Sequence, residues 1–163
     1  MAIITGRVRK FWNNIDTDNI TPAAFLRLTL EELVKKAFSP ITADFYTTVK
    51  PGDIIVAGDN FGCGSSREHA TEVVKAMGIK YIVCHSMARI YFRNCIATGV
   101  FPIICKGAGD HFNEGDTIEI DTDRNIIKVL QTGKMLDFQP IPEAVRPILR
   151  VGGILEYLKE LIR

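Results

Sequence analysis

The residues best equipped for chemistry stand together in one stretch, Asn60-Phe61-Gly62-Cys63-Gly64-Ser65-Ser66-Arg67-Glu68-His69-Ala70. An apolar run over residues 54–57 leads into it, and a helical pattern over residues 70–77 leads out. The spacing predicts a strand-to-helix turn carrying two glycines, two hydroxyls, a guanidinium, a carboxylate and an imidazole. Glycine has no Cβ, so such a turn lets the backbone come close to a ligand. It also aims unpaired N–H groups and the positive end of a helix dipole at whatever sits there. The ligand this favours is an anion. Arg67 narrows it to a carboxylate or phosphate held by a planar fork.

Several glycine loops are excluded. A dinucleotide fingerprint needs a third glycine where this chain has Arg67. A P-loop needs Gly-Lys-Ser/Thr, and the turn has no lysine. A nucleophile elbow needs a glycine two residues after its serine, which neither Ser65 nor Ser66 has. Ser65-Ser66-Arg67-Glu68 also fits a capping box, with Ser65 capping the helix and Glu68 reaching back. On spacing alone, capping is the favoured reading. Arg67 points the other way, because a cation in the first turn opposes the dipole unless an anion is present. His69 reads as a surface or packed helix histidine.

The same stretch resembles the signature of the small, swivelling domain of the aconitase superfamily. Asn14-Ile15-Asp16-Thr17-Asp18-Asn19-Ile20 resembles the family's Asp-Thr-Asp-x-Ile segment. Ser86-Met87-Ala88-Arg89-Ile90-Tyr91-Phe92-Arg93-Asn94 resembles its Ser-Phe-Ala-Arg-Ile-x-x-Arg-Asn segment, with Met87 in place of Phe. Lys50-Pro51-Gly52-Asp53-Ile54-Ile55 and Gly152-Gly153 also fit, so the likeness runs in order over nearly the whole chain. It is nearest to the branch that stands free as the small subunit of 3-isopropylmalate dehydratase or of archaeal-type homoaconitase. The resemblance implies a hydro-lyase subunit of leucine biosynthesis. Such an enzyme isomerises 2- and 3-isopropylmalate by dehydration and rehydration through 2-isopropylmaleate.

The resemblance also implies roles for individual residues. Ser65 matches the catalytic serine, acting as alkoxide. A free serine hydroxyl is far too weak a base, so oriented N–H donors and positive charge must activate it, and Gly64 and Arg67 supply part of that environment. Ser66, Arg67 and Gly64 would hold a substrate carboxylate. Asp18 would join the acid/base network, whereas Asp16 reads as an Asx-turn or helix N-cap. Phe25-Leu26-Arg27-Leu28 falls in the loop that meets the variable end of the substrate. An apolar residue there suits an isopropyl group; Arg27 suits a second terminal carboxylate, as in homoaconitate. Homoaconitase or dual specificity is therefore the alternative, and a non-catalytic carboxylate-binding module is a second.

At 163 residues the chain is expected to form one domain, 1–163, with a real core. Its 47% hydrophobic and 24% charged residues are an ordinary soluble globular mix. The net charge of +1 provides no field for nucleic acid or an anionic membrane. No apolar stretch reaches membrane-spanning length. Met1-Ala2-Ile3-Ile4-Thr5-Gly6-Arg7 is too polar for a signal peptide, so a cytoplasmic location is expected. Cys63, Cys84, Cys95 and Cys105 show no metal-ligand spacing. Cys84, Cys95 and Cys105 read as small buried hydrophobes. Cys63 lies before a helix N-terminus, which would lower its pKa. The chain is expected to bind no cofactor itself. In the family a [4Fe–4S] cluster belongs to the large subunit, which is the implied partner. The implied substrate is a hydroxy-di- or tricarboxylate.

Periodicity supplies the elements that must position the loop. A first strand is expected over residues 3–12, then a polar turn over 13–19. Thr29 and Glu32 open a helix over 30–38, residues 39–48 read as irregular, and the core strand follows over 54–57. Gly78 stops the helix after the loop. A strand over 81–84, a helix over 88–98 ended by Gly99 and a strand over 101–105 complete a series that argues for parallel pairing. Turn signals then separate short antiparallel strands near 117–120, 126–130 and 134–138. A helix over 143–150, a Gly152-Gly153 break and a last helix over 154–162 close the chain. Arg89 and Arg93 share one helix face and are expected to pack the loop or meet a partner. With the resemblance, the fold class is α/β: a single three-layer β/β/α domain with a partly parallel central sheet and an antiparallel segment near the C-terminus.

Overall fold

The computed structural model describes residues 3–163. Met1 and Ala2, which open the segment read as too polar for a leader, lie outside the described residues. In chain order the elements are β1 (Ile3–Lys10), α1 (Thr17–Ile20), α2 (Leu30–Val34), α3 (Phe45–Thr48), β2 (Ile54–Ala57), α4 (His69–Ala76), β3 (Tyr81–Cys84) and α5 (Arg89–Thr98). They continue with β4 (Phe101–Ile104), α6 (Ala108–His111), β5 (Thr117–Asp121), β6 (Ile126–Val129), β7 (Met135–Asp137), α7 (Arg146–Val151) and α8 (Ile154–Leu161).

Among the described residues the strands form one sheet in the order β4-β3-β2-β1-β5-β6-β7. The β1–β2, β2–β3 and β3–β4 pairs are parallel, and β1–β5, β5–β6 and β6–β7 are antiparallel. The helices α4 and α5 supply the crossovers that parallel neighbours require. Side-chain alternation then sorts the core into two halves. Ile55, Ala57, Ile82 and Cys84 face one core with Val73 and Val74 of α4 and Tyr91 and Cys95 of α5. Ile54, Val56 and Val83 face the other core with Ile118, Ile120, Ile127 and Val129 from the antiparallel strands. The parallel half is thus covered on both faces, by helices on one and by the curled-over antiparallel half on the other. That is the expected β/β/α layering, and it explains why β2 and β3 are apolar at every position.

Several boundaries differ from the expectation. The helix expected over 30–38 ends at Val34, where the Lys36 and Ala37 N–H groups bond three residues back and the chain passes into turns; Phe38 then takes a left-handed φ of 61°. Its buried ring stacks on Phe11 at 4.7 Å and lies tilted against Phe45 at 4.8 Å. The helix expected over 143–150 starts instead as a 3-10 turn, Glu143–Val145, and becomes α-helical at Arg146, where Pro147 fits the first turn. The four-residue helices α3 and α6 fall in stretches with no helical signal. No helix among the described residues is long and apolar enough to cross a membrane.

The turn before β2 is fastened to β1 by charge. Arg7 donates to Asp53 through Nε at 3.1 Å and Nη2 at 2.6 Å, and the Lys50 N–H donates to the same carboxylate at 2.8 Å. Arg9 lies 3.7 Å away and also pairs with Glu114 at 2.9 Å. Burial alone would push the Asp53 carboxyl up; the hydrogen bonds from Arg7 and Lys50 and the two guanidinium charges together hold it below its ordinary value. A depressed folded pKa stabilises above the unfolded value, near pH 4, and the contribution disappears as pH falls through the folded value. Asp53→Asn is therefore expected to cost roughly 2–3 kcal/mol at pH 7. Urea unfolding from pH 7 to pH 3 should show a flatter acid limb for the variant than for the wild type. An unchanged acid limb would mean that other carboxylates carry it.

Candidate active site

The loop after β2 is stitched to two other segments. Phe61 is fully buried and packs edge-on against Tyr91 at 5.4 Å. Its N–H donates to the Ser86 carbonyl at 3.1 Å, and its own carbonyl accepts from the Ala88 N–H at 2.9 Å. One step on, the Gly62 N–H donates to the Ile15 carbonyl at 2.7 Å, and the Thr17 N–H donates to the Cys63 carbonyl at 2.8 Å. These contacts form two isolated parallel bridges, Phe61 with Met87 and Asp16 with Cys63. Gly62 has φ +77°, and a Cβ there would lie 2.2 Å from Tyr91 Cγ. The Tyr91 hydroxyl cannot swing away, since it donates to the buried Ala70 carbonyl at 2.9 Å.

Beyond this seam the chain surfaces. Gly64 has φ +100°. Ser65 and Ser66 follow it, both exposed. Ser65 Oγ lies 3.3 Å from Oγ1 of Thr17. Arg67 folds back, donating from Nη1 to the Asp18 carboxylate and, at 3.2 Å, to the Thr21 carbonyl. Asp18 and Asp16 do different work. Asp16 caps α1 by accepting from the Asn19 N–H at 2.8 Å, and the Asn19 side chain accepts from the Asp16 N–H at 3.0 Å. This is the N-cap expected of Asp16. Asp18 points outward to the guanidinium.

Two expectations about the loop do not hold. The Ser65–Glu68 capping box is absent: α4 begins at His69, its N-cap is Glu68, and no side chain caps it. The bridge between Asp16 and Cys63 holds Ser65 beside Thr17 instead. The Cys63 thiol is shifted up, not down, first by burial and then by the Asp16 charge. The dipole of a helix that starts at His69 fades within its first turn and cannot offset them.

A cavity of about 190 Å³ opens at the loop, lined by Thr17, Gly64, Ser65, Ser66, Arg89 and Asn94, among others. Asp18 and Arg67 lie beside it and do not line it. Arg27 is exposed and, among the described residues, makes no hydrogen bond or ion pair; Leu28 is exposed beside it. Phe25 packs against the helical core and carries Lys36 Nζ over its ring at 5.3 Å, so it anchors this turn, with Leu26 half-buried. Arg93 and His69 are exposed. Thr17 and Asn94 were not singled out from sequence. Thr17 sits between two aspartates whose carboxylates are the stronger signal, and Asn94 carries no signal of its own beyond the family segment. Arg89, expected to pack the loop or meet a partner, lines the cavity.

The cysteines do not fit an iron–sulfur cluster. Cys84, Cys95 and Cys105 are buried, and burial pushes all three thiols up. Among the described residues no group of three or more His, Cys, Asp or Glu is placed to hold a metal.

Known proteins resemble the chain in sequence and in fold. The aconitase C-terminal domain family matches residues 1–107, which take in the loop and both segments bridged to it. The chain belongs to the aconitase C-terminal domain family. One curated aconitase-family relative is the isopropylmalate/citramalate isomerase small subunit of Methanocaldococcus jannaschii, 49% identical over 98% of this chain and 95% of its own length. Another is the 3-isopropylmalate dehydratase small subunit of Nautilia profundicola, 46% identical over 100% of this chain and 98% of its own. A crystal structure of 3-isopropylmalate dehydratase from M. jannaschii superposes with a TM-score of 0.93 at 42% identity, covering 99% of this chain and 96% of that one. The aconitase C-terminal-domain-like fold expected from the motifs is the fold observed.

Proposed function

We propose that this chain is the small subunit of a hydro-lyase that interconverts 2- and 3-isopropylmalate through 2-isopropylmaleate. The observation that carries the proposal is the position of Ser65. Its hydroxyl is exposed at the cavity, caps no helix and stands on a turn fixed by backbone hydrogen bonds to two other segments. A group so placed suits proton transfer more than structure. The names of the relatives supply the substrate class.

In this proposal Ser65 Oγ, as alkoxide, takes the proton from the substrate carbon. The C–H electron pair becomes the new π bond as hydroxide departs. In the reverse sense hydroxide adds at the other carbon, the π pair takes the proton back from Ser65 Oγ–H at the neighbouring carbon, and the alkoxide is regenerated. Ser66, Arg67 and the Gly64 backbone hold a substrate carboxylate, with Asp18 keeping Arg67 oriented. The Lewis acid that eases loss of hydroxide is assigned to a [4Fe–4S] cluster on a large subunit. The complex would be cytoplasmic.

The test is co-expression with a candidate large subunit, anaerobic reconstitution with iron and sulfide, and assay on 3-isopropylmalate and homoaconitate. Turnover of 3-isopropylmalate by the complex and none by the isolated chain is expected. Robust activity of the isolated chain, or a stable reconstituted complex inactive on both acids, would overturn it. A second reading, dual specificity, is favoured by the Arg27 guanidinium, which has no partner among the described residues. If Arg27 grips a second carboxylate, Arg27→Val lowers kcat/KM for homoaconitate by about 10- to 100-fold and leaves isopropylmalate nearly unchanged. Equal effects on both substrates would remove Arg27 from specificity.

A further inference from the structure

Building on the assignment of Ser65 as the base, we infer that Thr17 is a positioning residue for it, holding Oγ in place and donating to it when it is ionised. Thr17 is 2% exposed. Its backbone is fixed on both sides. The N–H donates to the Cys63 carbonyl at 2.8 Å, and the carbonyl accepts from the Thr21 N–H at 2.8 Å and the Thr21 hydroxyl at 3.1 Å. Among the described residues, the sole hydrogen-bond partner of its Oγ1 is Ser65 Oγ, at 3.3 Å. A buried hydroxyl without a partner is destabilising, so Thr17 is committed to Ser65.

Two hydroxyls can share one hydrogen bond in either direction. While Ser65 is neutral, each can donate. Once Ser65 has lost its proton, Thr17 alone can donate, and the bond becomes charge-assisted and about twice as strong. The interaction therefore favours the ionised serine over the neutral one, which is what a serine base requires. The separation is long for two neutral hydroxyls, as catalytic hydrogen bonds commonly are before substrate binds.

No other side chain among the described residues does this for Ser65. Arg67 meets Ser65 through the backbone, its N–H donating to the Ser65 carbonyl at 2.9 Å, while its guanidinium is taken by Asp18 and Thr21. Gly64 belongs to the same device. A Cβ there would lie 3.2 Å from Thr17 Oγ1 and 3.6 Å from Asp16 Cβ, crowding the space beside the two hydroxyls. The bridge between Asp16 and Cys63 sets the spacing, because Thr17 follows one member and Ser65 lies two residues beyond the other.

The test uses the reconstituted two-subunit enzyme with wild type, Thr17→Val, Thr17→Ser and Ser65→Ala. Val keeps the volume and removes the hydroxyl. Thr17→Val is expected to lower kcat about 10-fold or more with KM nearly unchanged. The limb of the pH–rate profile that reports the serine should move to higher pH, and Thr17→Ser should restore both. Wild-type kcat and profile in Thr17→Val would overturn the inference, as would equal losses in the Val and Ser variants. If Thr17→Val fails to fold, Thr17→Ser decides: a large loss of kcat with the hydroxyl present overturns it. The two levels separate cleanly. An active Ser65→Ala enzyme removes the base and Thr17 with it; an inactive Ser65→Ala beside a normal Thr17→Val removes Thr17 alone.

Discussion

In the assembled enzyme, Ser65→Ala is expected to lower turnover about 1,000-fold while the domain keeps its fold and its partner. The size follows from the role: a positioned base contributes on the order of 10²–10⁴ in rate. The stability side is modest: Ser65 is exposed, and what its removal costs is the partner of the buried Thr17 hydroxyl, 3.3 Å away. Leaving that hydroxyl unpaired costs about 1–3 kcal/mol, or roughly 2–10 °C in Tm for a chain of this size, too little to unfold the domain. Helix capping cannot confuse the result, since α4 is capped by no side chain. A steady-state assay and a thermal melt are enough. Near-wild-type turnover would leave Ser65 as a turn residue and sink the proposed mechanism.

The largest loss of stability is expected at Gly62. An alanine methyl there would lie 2.2 Å from Tyr91 Cγ and 2.5 Å from its Cβ, on a backbone at φ +77°. Overpacking costs about 1–3 kcal/mol and a left-handed L-residue about 1–2 more, so Gly62→Ala should lose about 2–5 kcal/mol. The corresponding fall in Tm is on the order of 10 °C. Gly52→Ala is the matched control. It has φ +92° with no atom within 4 Å of the added methyl, so it carries the backbone cost alone. Equal losses in the two variants by urea unfolding would show that Tyr91 yields, and that the seam between the loop and α5 is soft.

Much of this protein was legible from the chain, for identifiable reasons. Strands β2 and β3 could be placed because parallel strands covered on both faces are apolar at each position. Gly78 and Gly99 marked helix ends because both take left-handed φ. What escaped depends on contacts distant in sequence. The Ser65–Glu68 spacing suggested a cap, but the pairing of Cys63 with Asp16 pulls Ser65 away from the helix. The expected drop in the Cys63 pKa assumed a helix start next to the thiol; the helix begins at His69 instead. Phe38, inside the expected helix, takes a left-handed backbone with its ring stacked on Phe11, a contact no local pattern reveals. At the site the loop itself was visible, and so was Asp18. Their connection through Arg67, across 49 positions, was not. Thr17 was hidden for the same reason, since its meaning lies in the neighbour that folding brings to it.

The pairing of Arg67 with Asp18 also shapes how a substrate arrives. The Asp18 side chain is 64% exposed and the Arg67 side chain 20%, so the charge facing solvent is carboxylate as much as guanidinium. The pair itself is close to neutral, so the positive charge an incoming acid meets at the cavity is Arg89, exposed and part of its lining. The field of one exposed cation is screened within a Debye length. Capture rates should therefore fall only mildly as ionic strength rises, and discrimination should lie in how well the acid's carboxylate fits against an Arg67 already held in place by Asp18.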